Sequence, residues 1–377
     1  MLPAPYGSWR AEGRSRIMRA AVLREPGARF EITDLTLRAL GPRDVHVQLA
    51  ASGVCRSDLS IQDGTIPHPL PAVLGHEGAG IVLAAGPDVS TVGPGDHVVL
   101  SWVAPCRACF QCLHGHPELC EHGMDHAFAA PYATDPNGGG LLAAFGTATF
   151  GEETILPEAA CIKIYSDFPL DLAALVGCGV VTGVGAVCNS AHVGPGESVV
   201  VIGCGGVGLA AIQGARLSGA SPIIAVDRVA SKLGLARESG ATDVVDASAG
   251  DPVAAVRELT DSRGADHAIE VVGNSATIRQ AFDMARRAGT VTIVGAGRFD
   301  DMVEIGAMTL MVDAKTVRGC VYGATDPRRD FPEMVRLHRA GKLDLDALVT
   351  RRIELGDVDD AFRAMDAGEV ARSVIVY

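Results

Sequence analysis

The chain has 377 residues, 48% of them hydrophobic and 20% charged, which is ample for a folded protein and long for a single core, so two domains are expected. A formal net charge of −13 argues against a general affinity for nucleic acid. The apolar runs read as shorter than the roughly 20 residues that span a bilayer, so no membrane segment is expected.

Residues 1–17 carry arginines with no apolar segment after them, unlike a secretory leader, and read as a flexible N-terminal extension. From Met18 to about Thr154, short runs such as AAVL, DVHVQLA, GAGIVLAAG and GDHVVL are separated by glycine and proline turns, the texture of an irregular β-rich domain. Within it lie Cys55 in GVCRSD and the pair His76–Glu77 in LGHEGAG. The loop CRACFQCLHGHPELC then places Cys106, Cys109, Cys112 and Cys120 close together. The stretch DLAALVGCGVVTGVGAVCNSA reads as an apolar helix broken by glycines; it carries Cys178, and the domain junction is placed just after that residue.

Cysteine and histidine in these patterns point to metal. Two thiolates and an imidazole, from Cys55, Cys178 and His76, suit zinc and leave a fourth position for water or a substrate oxygen. Four thiolates fill a tetrahedral zinc and leave none, so the lobe reads as structural, with an iron–sulfur cluster or two disulfides as the other readings. His114, His116, His122 and His126 nearby read as loop histidines. The remaining cysteines are dispersed among apolar segments and fit reduced thiols in a cytoplasmic protein.

From Glu197 the texture changes to alternating strands and helices, SVVVIGCG through TVTIVGAG, with KTVRGCVYG as a sixth strand. This is the pattern of a doubly wound parallel sheet. GCGGVG, with Gly203, Gly205 and Gly208 at the motif positions and Gly206 between them, follows an apolar strand and opens a helix, as a dinucleotide pyrophosphate requires. The next strand ends at Asp227, the acidic position that binds ribose hydroxyls and repels a 2′-phosphate, which favours NAD; the adjacent Arg228 argues the other way. After Tyr322 come a helix around FPEMVRLHRAGKL, a strand around VTRRIEL, a helix around VDDAFRAMDAGE and a closing strand SVIVY.

On these motifs, from MRAAVLREPG near Met18 to ARSVIVY at the C-terminus, the sequence resembles the zinc-dependent medium-chain alcohol dehydrogenases of the long, two-zinc kind. The resemblance implies an α/β protein with a GroES-like catalytic domain, residues 18–179 and 322–377, and a Rossmann NAD-binding domain, residues 180–321. It implies one catalytic and one structural zinc, with Ser57 relaying the alcohol proton, Asp58 orienting His76 and Glu77 tuning the metal site. Arg56 and Arg372 would face the pyrophosphate, and Lys232 the adenosine ribose. Val207, Thr182, Val271 and Val294 would line the cofactor cleft. Ser60 stands where many relatives have a histidine at the outer end of the proton relay, so the proton's exit is left open.

By the same resemblance Trp102 narrows the substrate cleft, Ala144 reopens space further out, and Ile66, Phe145 and Met311 add apolar wall. A primary alcohol with a slim reactive end follows as the substrate, its aldehyde as the product, with a secondary alcohol and ketone the variant. Thiol adducts of formaldehyde, tightly held NAD and a non-catalytic cofactor-binding relative are the alternatives. A homodimer is expected through the sheet edge around Val303 to Val317, with a tetramer as the alternative.

Overall fold

The computed structural model describes residues 17–377; Ile17 begins the first strand, and the rest of the N-terminal extension lies outside the described residues. The glycine- and proline-punctuated first third folds into short strands. Five of them, Ile17–Leu23, Glu31–Leu37, Ala133–Thr134, Gly140–Ala143 and Ala72–Val73, close a small barrel.

A second sheet is built on the long strand Asp44–Gly53. One edge of this strand pairs with Glu77–Ala85. The other edge is shared by Glu153–Pro157 at its start and Ser373–Val376 at its end. The chain's last strand therefore sits in the sheet of its first domain, as the closing SVIVY run leads one to expect. The register sets Gly53 opposite both Glu77 and Val374. Residues just beyond these positions, Cys55, His76 and Arg372, are thereby delivered to one end of the sheet.

The second domain is a six-stranded parallel sheet in the spatial order Asp243–Asp246, Ile223–Asp227, Val199–Ile202, Ala265–Glu270, Ala285–Ile293, Thr316–Gly319. Its central strands are apolar on both faces. Val199 and Val201 enter the core shared with the first domain, while Val200 and Ile202 enter the core that includes Val256 and Phe282 on the far side. Strand order reverses between Val199–Ile202 and Ala265–Glu270, and ligands of such sheets bind in the crevice beyond that point.

One helix, Leu170–Ala191, joins the two domains. It has 22 residues, and its most apolar 18-residue window has a mean hydropathy of 1.9, so by length and composition alone it could cross a membrane, contrary to the reading that no apolar run is long enough. In this fold 78% of its most apolar window is buried. Nor do its glycines break it. A Cβ at Gly183 would stand 2.3 Å from the Val207 carbonyl oxygen, and one at Gly185 would stand 2.2 Å from that of Gly323. These glycines are contact points where neighbouring backbone touches the helix. The irregularity is instead two π turns, Val176–Val180 and Ala186–Ala191. The boundary placed after residue 179 falls inside this helix.

Candidate active site and metal centres

The end of strand Asp44–Gly53, the start of Glu77–Ala85 and the first π turn of the joining helix meet at one point. There the ligand atoms of Cys55, His76, Glu77 and Cys178 lie within 4.8 Å of one another. His76 is held through Nδ1, 3.1 Å from Asp58 Oδ1, an oxygen that also accepts from the Gly75 N–H at 2.9 Å. Asp58 thereby fixes the tautomer and leaves His76 Nε2 as the nitrogen offered to a metal. Ser57 Oγ is 4.0 Å from the Cys55 sulfur.

Glu77 is fully buried. Its Oε1 accepts from the Gly179 N–H at 3.0 Å and from Arg372 Nη2 at 2.5 Å, while Oε2 has no protein partner. A Cβ on Gly53 would stand 2.1 Å from that Oε2, so glycine there makes the space the carboxylate occupies. Burial raises Glu77 to about 7 against the opposing pull of Arg372. The two thiols are linked: a hydrogen bond from Cys178 holds Cys55 well below the usual thiol range, while the same bond and burial push Cys178 up. Such a pair retains a proton that a dication displaces, and two sulfurs, an imidazole and an orphaned carboxylate oxygen are a donor set that fits zinc.

The four lobe sulfurs also lie within 4.8 Å of one another. Backbone N–H groups of Ala108 and Cys109 point at Cys106 Sγ, and that of Cys106 points at Cys120 Sγ, at 3.2–3.4 Å. Backbone hydrogen bonding, led by Cys112, holds Cys109 down at about 6, while burial pushes Cys112 up to about 12 and Cys120 up, so the lobe without metal keeps protons that a bound dication would displace. All ten cysteines are free thiols, which removes the disulfide reading of the lobe. His114 stacks on Phe110, His116 pairs with Glu118 and His122 with Asp125, so these histidines are engaged locally.

The glycine loop lies beside this site: Gly206 packs against the stem of Arg372, which pairs with Glu77. Gly203 has φ +97°, which favours glycine, and a Cβ on Gly208 would stand 1.8 Å from the Gly203 carbonyl oxygen. At Gly205 a Cβ would meet nothing within 4 Å, leaving the N-terminus of helix Gly206–Leu217 open. One glycine for the turn, one for packing and one for open approach is the division of labour that suits a pyrophosphate. Val271 packs against Gly203 and Gly208, and Val207 presses on Gly183. Thr182 is buried with its hydroxyl unpartnered, and Val294 is half-buried where its strand leaves the sheet, its N–H bonded to the Glu270 carbonyl at 2.8 Å. Asp227 accepts from the Cys204 and Val229 N–H groups at 2.7 and 2.9 Å. Arg228 is exposed, and Lys232 is half-buried beside Gly368.

Some residues stand apart from their expected surroundings. Arg372 is 5% exposed and committed to Glu77 and the Val54 carbonyl, with its stem against Gly206. Arg56 is exposed and paired with Asp366 at 2.7 Å. Ala144 is fully enclosed in the core of the first domain, and so opens no space beside the cleft. Met311 is 64% exposed on helix Ala307–Asp313, which packs beside strand Ala285–Ile293 of the parallel sheet. Ile66 is half-buried, its N–H bonded to the Ser60 carbonyl at 2.7 Å.

Phe145 lies 4.5 Å from the His76 ring and 6.0 Å from Trp102, between centroids. Trp102 also packs on Tyr322, at 4.5 Å, a residue that in the sequence marks only a boundary between elements.

A thiol- and imidazole-lined site at the junction of a β-rich domain and a dinucleotide-type sheet defines a metal-dependent oxidoreductase. Residues 41–166 match the model of the alcohol dehydrogenase GroES-like domain, and residues 206–340 that of the zinc-binding dehydrogenases. The chain is 37% identical over 368 residues to geraniol dehydrogenase of Castellaniella defragrans, covering 95% of this chain and 97% of that one. It is 38% identical to an NDMA-dependent alcohol dehydrogenase of Amycolatopsis methanolica, over 95% and 98% of the two chains. The crystal structure of benzyl alcohol dehydrogenase from Acinetobacter calcoaceticus superposes with a TM-score of 0.89 at 36% identity, covering 96% and 99%. The chain belongs to the zinc-dependent medium-chain alcohol dehydrogenase family, oxidoreductases that act on the CH–OH group of alcohols with zinc and a nicotinamide cofactor.

Proposed function

We propose that the chain catalyses the reversible, NAD-linked oxidation of primary alcohols with an apolar or aromatic body at the site of Cys55, His76 and Cys178. The observation that carries this reading is the convergence of those ligand atoms within 4.8 Å, beside an aromatic wall. Zinc held there would supply a Lewis acid for the substrate oxygen, and a nicotinamide in the crevice would supply the hydride acceptor.

The chain's own residues do the rest. Asp58 keeps His76 in the tautomer that offers Nε2, and Ser57 takes the alcohol proton. Trp102 and Phe145 flank the reacting end and exclude water, favouring a flat or slim substrate. The open N-terminus at Gly205 receives the pyrophosphate. Asp227 accepts the ribose hydroxyls and repels a 2′-phosphate, and Lys232 sits beside the same ribose. Cys106, Cys109, Cys112 and Cys120 hold a second, structural zinc.

Assembly as a homodimer is supported by the outer strand Thr316–Gly319, exposed along its length, with Met308, Met311 and Val312 exposed on the helix just before it. Free thiols throughout support a reducing, cytoplasmic setting. The test is formation of reduced nicotinamide from NAD with ethanol, hexanol and benzyl alcohol, and separately with glutathione plus formaldehyde. Turnover should favour the larger free alcohols; activity confined to the thiol adduct would replace this reading with the other substrate class.

A further inference from the structure

Tyr322 has no partner suggested by its sequence neighbours, yet the fold holds it on every side. It is 3% exposed and adopts φ +54°, an uncommon backbone for a non-glycine residue. Gly323 and Ala324 follow with φ +69° and +50°. This strained turn lies directly on the joining helix: a Cβ on Gly323 would stand 2.2 Å from the Val181 carbonyl oxygen. Strain of this kind persists only where surrounding contacts over-determine it.

Those contacts have a direction. The Tyr322 hydroxyl donates to the Gly177 carbonyl at 2.5 Å and lies 3.3 Å from Ser101 Oγ. Gly177 directly precedes Cys178 within the π turn Val176–Val180, where the helix departs from its regular hydrogen-bond spacing. Gly177 has little freedom of its own, since a Cβ there would stand 2.9 Å from the Leu100 carbonyl oxygen. The ring of Tyr322, meanwhile, packs on Trp102 at 4.5 Å and meets Phe331 edge-on at 6.4 Å. One side chain therefore touches both the turn that presents a candidate metal ligand and the wall that bounds the candidate substrate cleft.

We infer that Tyr322 is a positioning residue with two separable parts: its hydroxyl fixes the π turn that aims Cys178, and its ring fixes Trp102 and so the shape of the substrate cleft. The inference rests on Cys178 being a metal ligand. A phenol suits both tasks because it joins a rigid apolar face to a single donor. Phenylalanine would keep the second task and lose the first, leaving the buried Gly177 carbonyl without that donor.

The experiment uses the full-length protein with cobalt in place of zinc at the three-ligand site, and reads thiolate-to-cobalt absorption and the rate of metal loss to a chelator. Tyr322→Phe should alter the thiolate band and release metal roughly 3- to 10-fold faster, as expected for one lost buried hydrogen bond, with KM for benzyl alcohol changed less than about twofold. Tyr322→Leu should add a rise in KM for benzyl alcohol relative to ethanol. An unchanged band and release rate in Tyr322→Phe would overturn the inference, whether or not the leucine variant folds. Cys178→Ser separates the two levels of failure: a band unaffected by that change would remove Cys178 as a ligand, and the inference with it. A band that responds to Cys178→Ser but not to Tyr322→Phe removes the inference alone.

Discussion

The guanidinium of Arg372, close to the C-terminus, reaches Glu77 Oε1 at 2.5 Å in a buried pair. Strand Ser373–Val376 carries Arg372 to the end of the sheet where Glu77 begins its own strand, so the last segment of the chain completes the candidate active site. Breaking a buried pair from one side leaves an uncompensated charge. Arg372→Met should therefore cost about 3–5 kcal/mol in denaturant unfolding, and adding Glu77→Gln should recover part of that loss. Equal stability of the single and double variants would show that the pair is not the reason.

The glycine loop separates packing from binding. Gly208→Ala forces a Cβ to within 1.8 Å of the Gly203 carbonyl oxygen and should lower the melting temperature and weaken cofactor binding together. Gly205→Ala projects into open space, so the fold should keep its melting temperature while the affinity for NAD falls roughly tenfold or more. Calorimetry and cofactor fluorescence distinguish the two effects.

Asp227 makes short local bonds, to the Cys204 and Val229 N–H groups, which hold its carboxylate at the crevice end of the strand. Asp227→Ser should raise the NADP-to-NAD ratio of kcat/KM by about tenfold, the scale of one removed unit charge at a partly solvated site. A ratio that does not move would place cofactor discrimination elsewhere.

His126 is half-buried against Gly146, next to Phe145, and desolvation pushes it down to about 4. A histidine whose folded value is depressed favours the folded state above its usual value near 6.5, and that stability is lost as pH falls toward 4. Wild-type protein should lose at most roughly 3 kcal/mol over that window from this group. His126→Gln should flatten the same part of the stability profile, measured by unfolding across pH.

The parts legible in the sequence are those set by local spacing. The lobe cysteines fall within one short loop, and the glycine motif is a single strand–turn–helix. Cys55, His76 and Cys178 are far apart, but each sits in a short motif. Less legible are features made by distant packing. The glycines of the joining helix look like breaks in one dimension and are contact points in three, because Val207 and Gly323 backbone oxygens reach them. The resemblance suggests open space at Ala144, where the fold instead seals the side chain in the core of the first domain. Tyr322 meets Trp102 and Gly177 only once the chain has returned from the second domain, and nothing in its own neighbourhood announces that.

The most direct measurement is zinc content together with alcohol-dependent reduction of NAD, for wild-type protein and Cys55→Ser side by side. The account predicts about two zinc ions per wild-type chain, about one in the variant, and loss of turnover while NAD binding persists. Full turnover in Cys55→Ser, or wild-type activity with no zinc lost on that change, would contradict it.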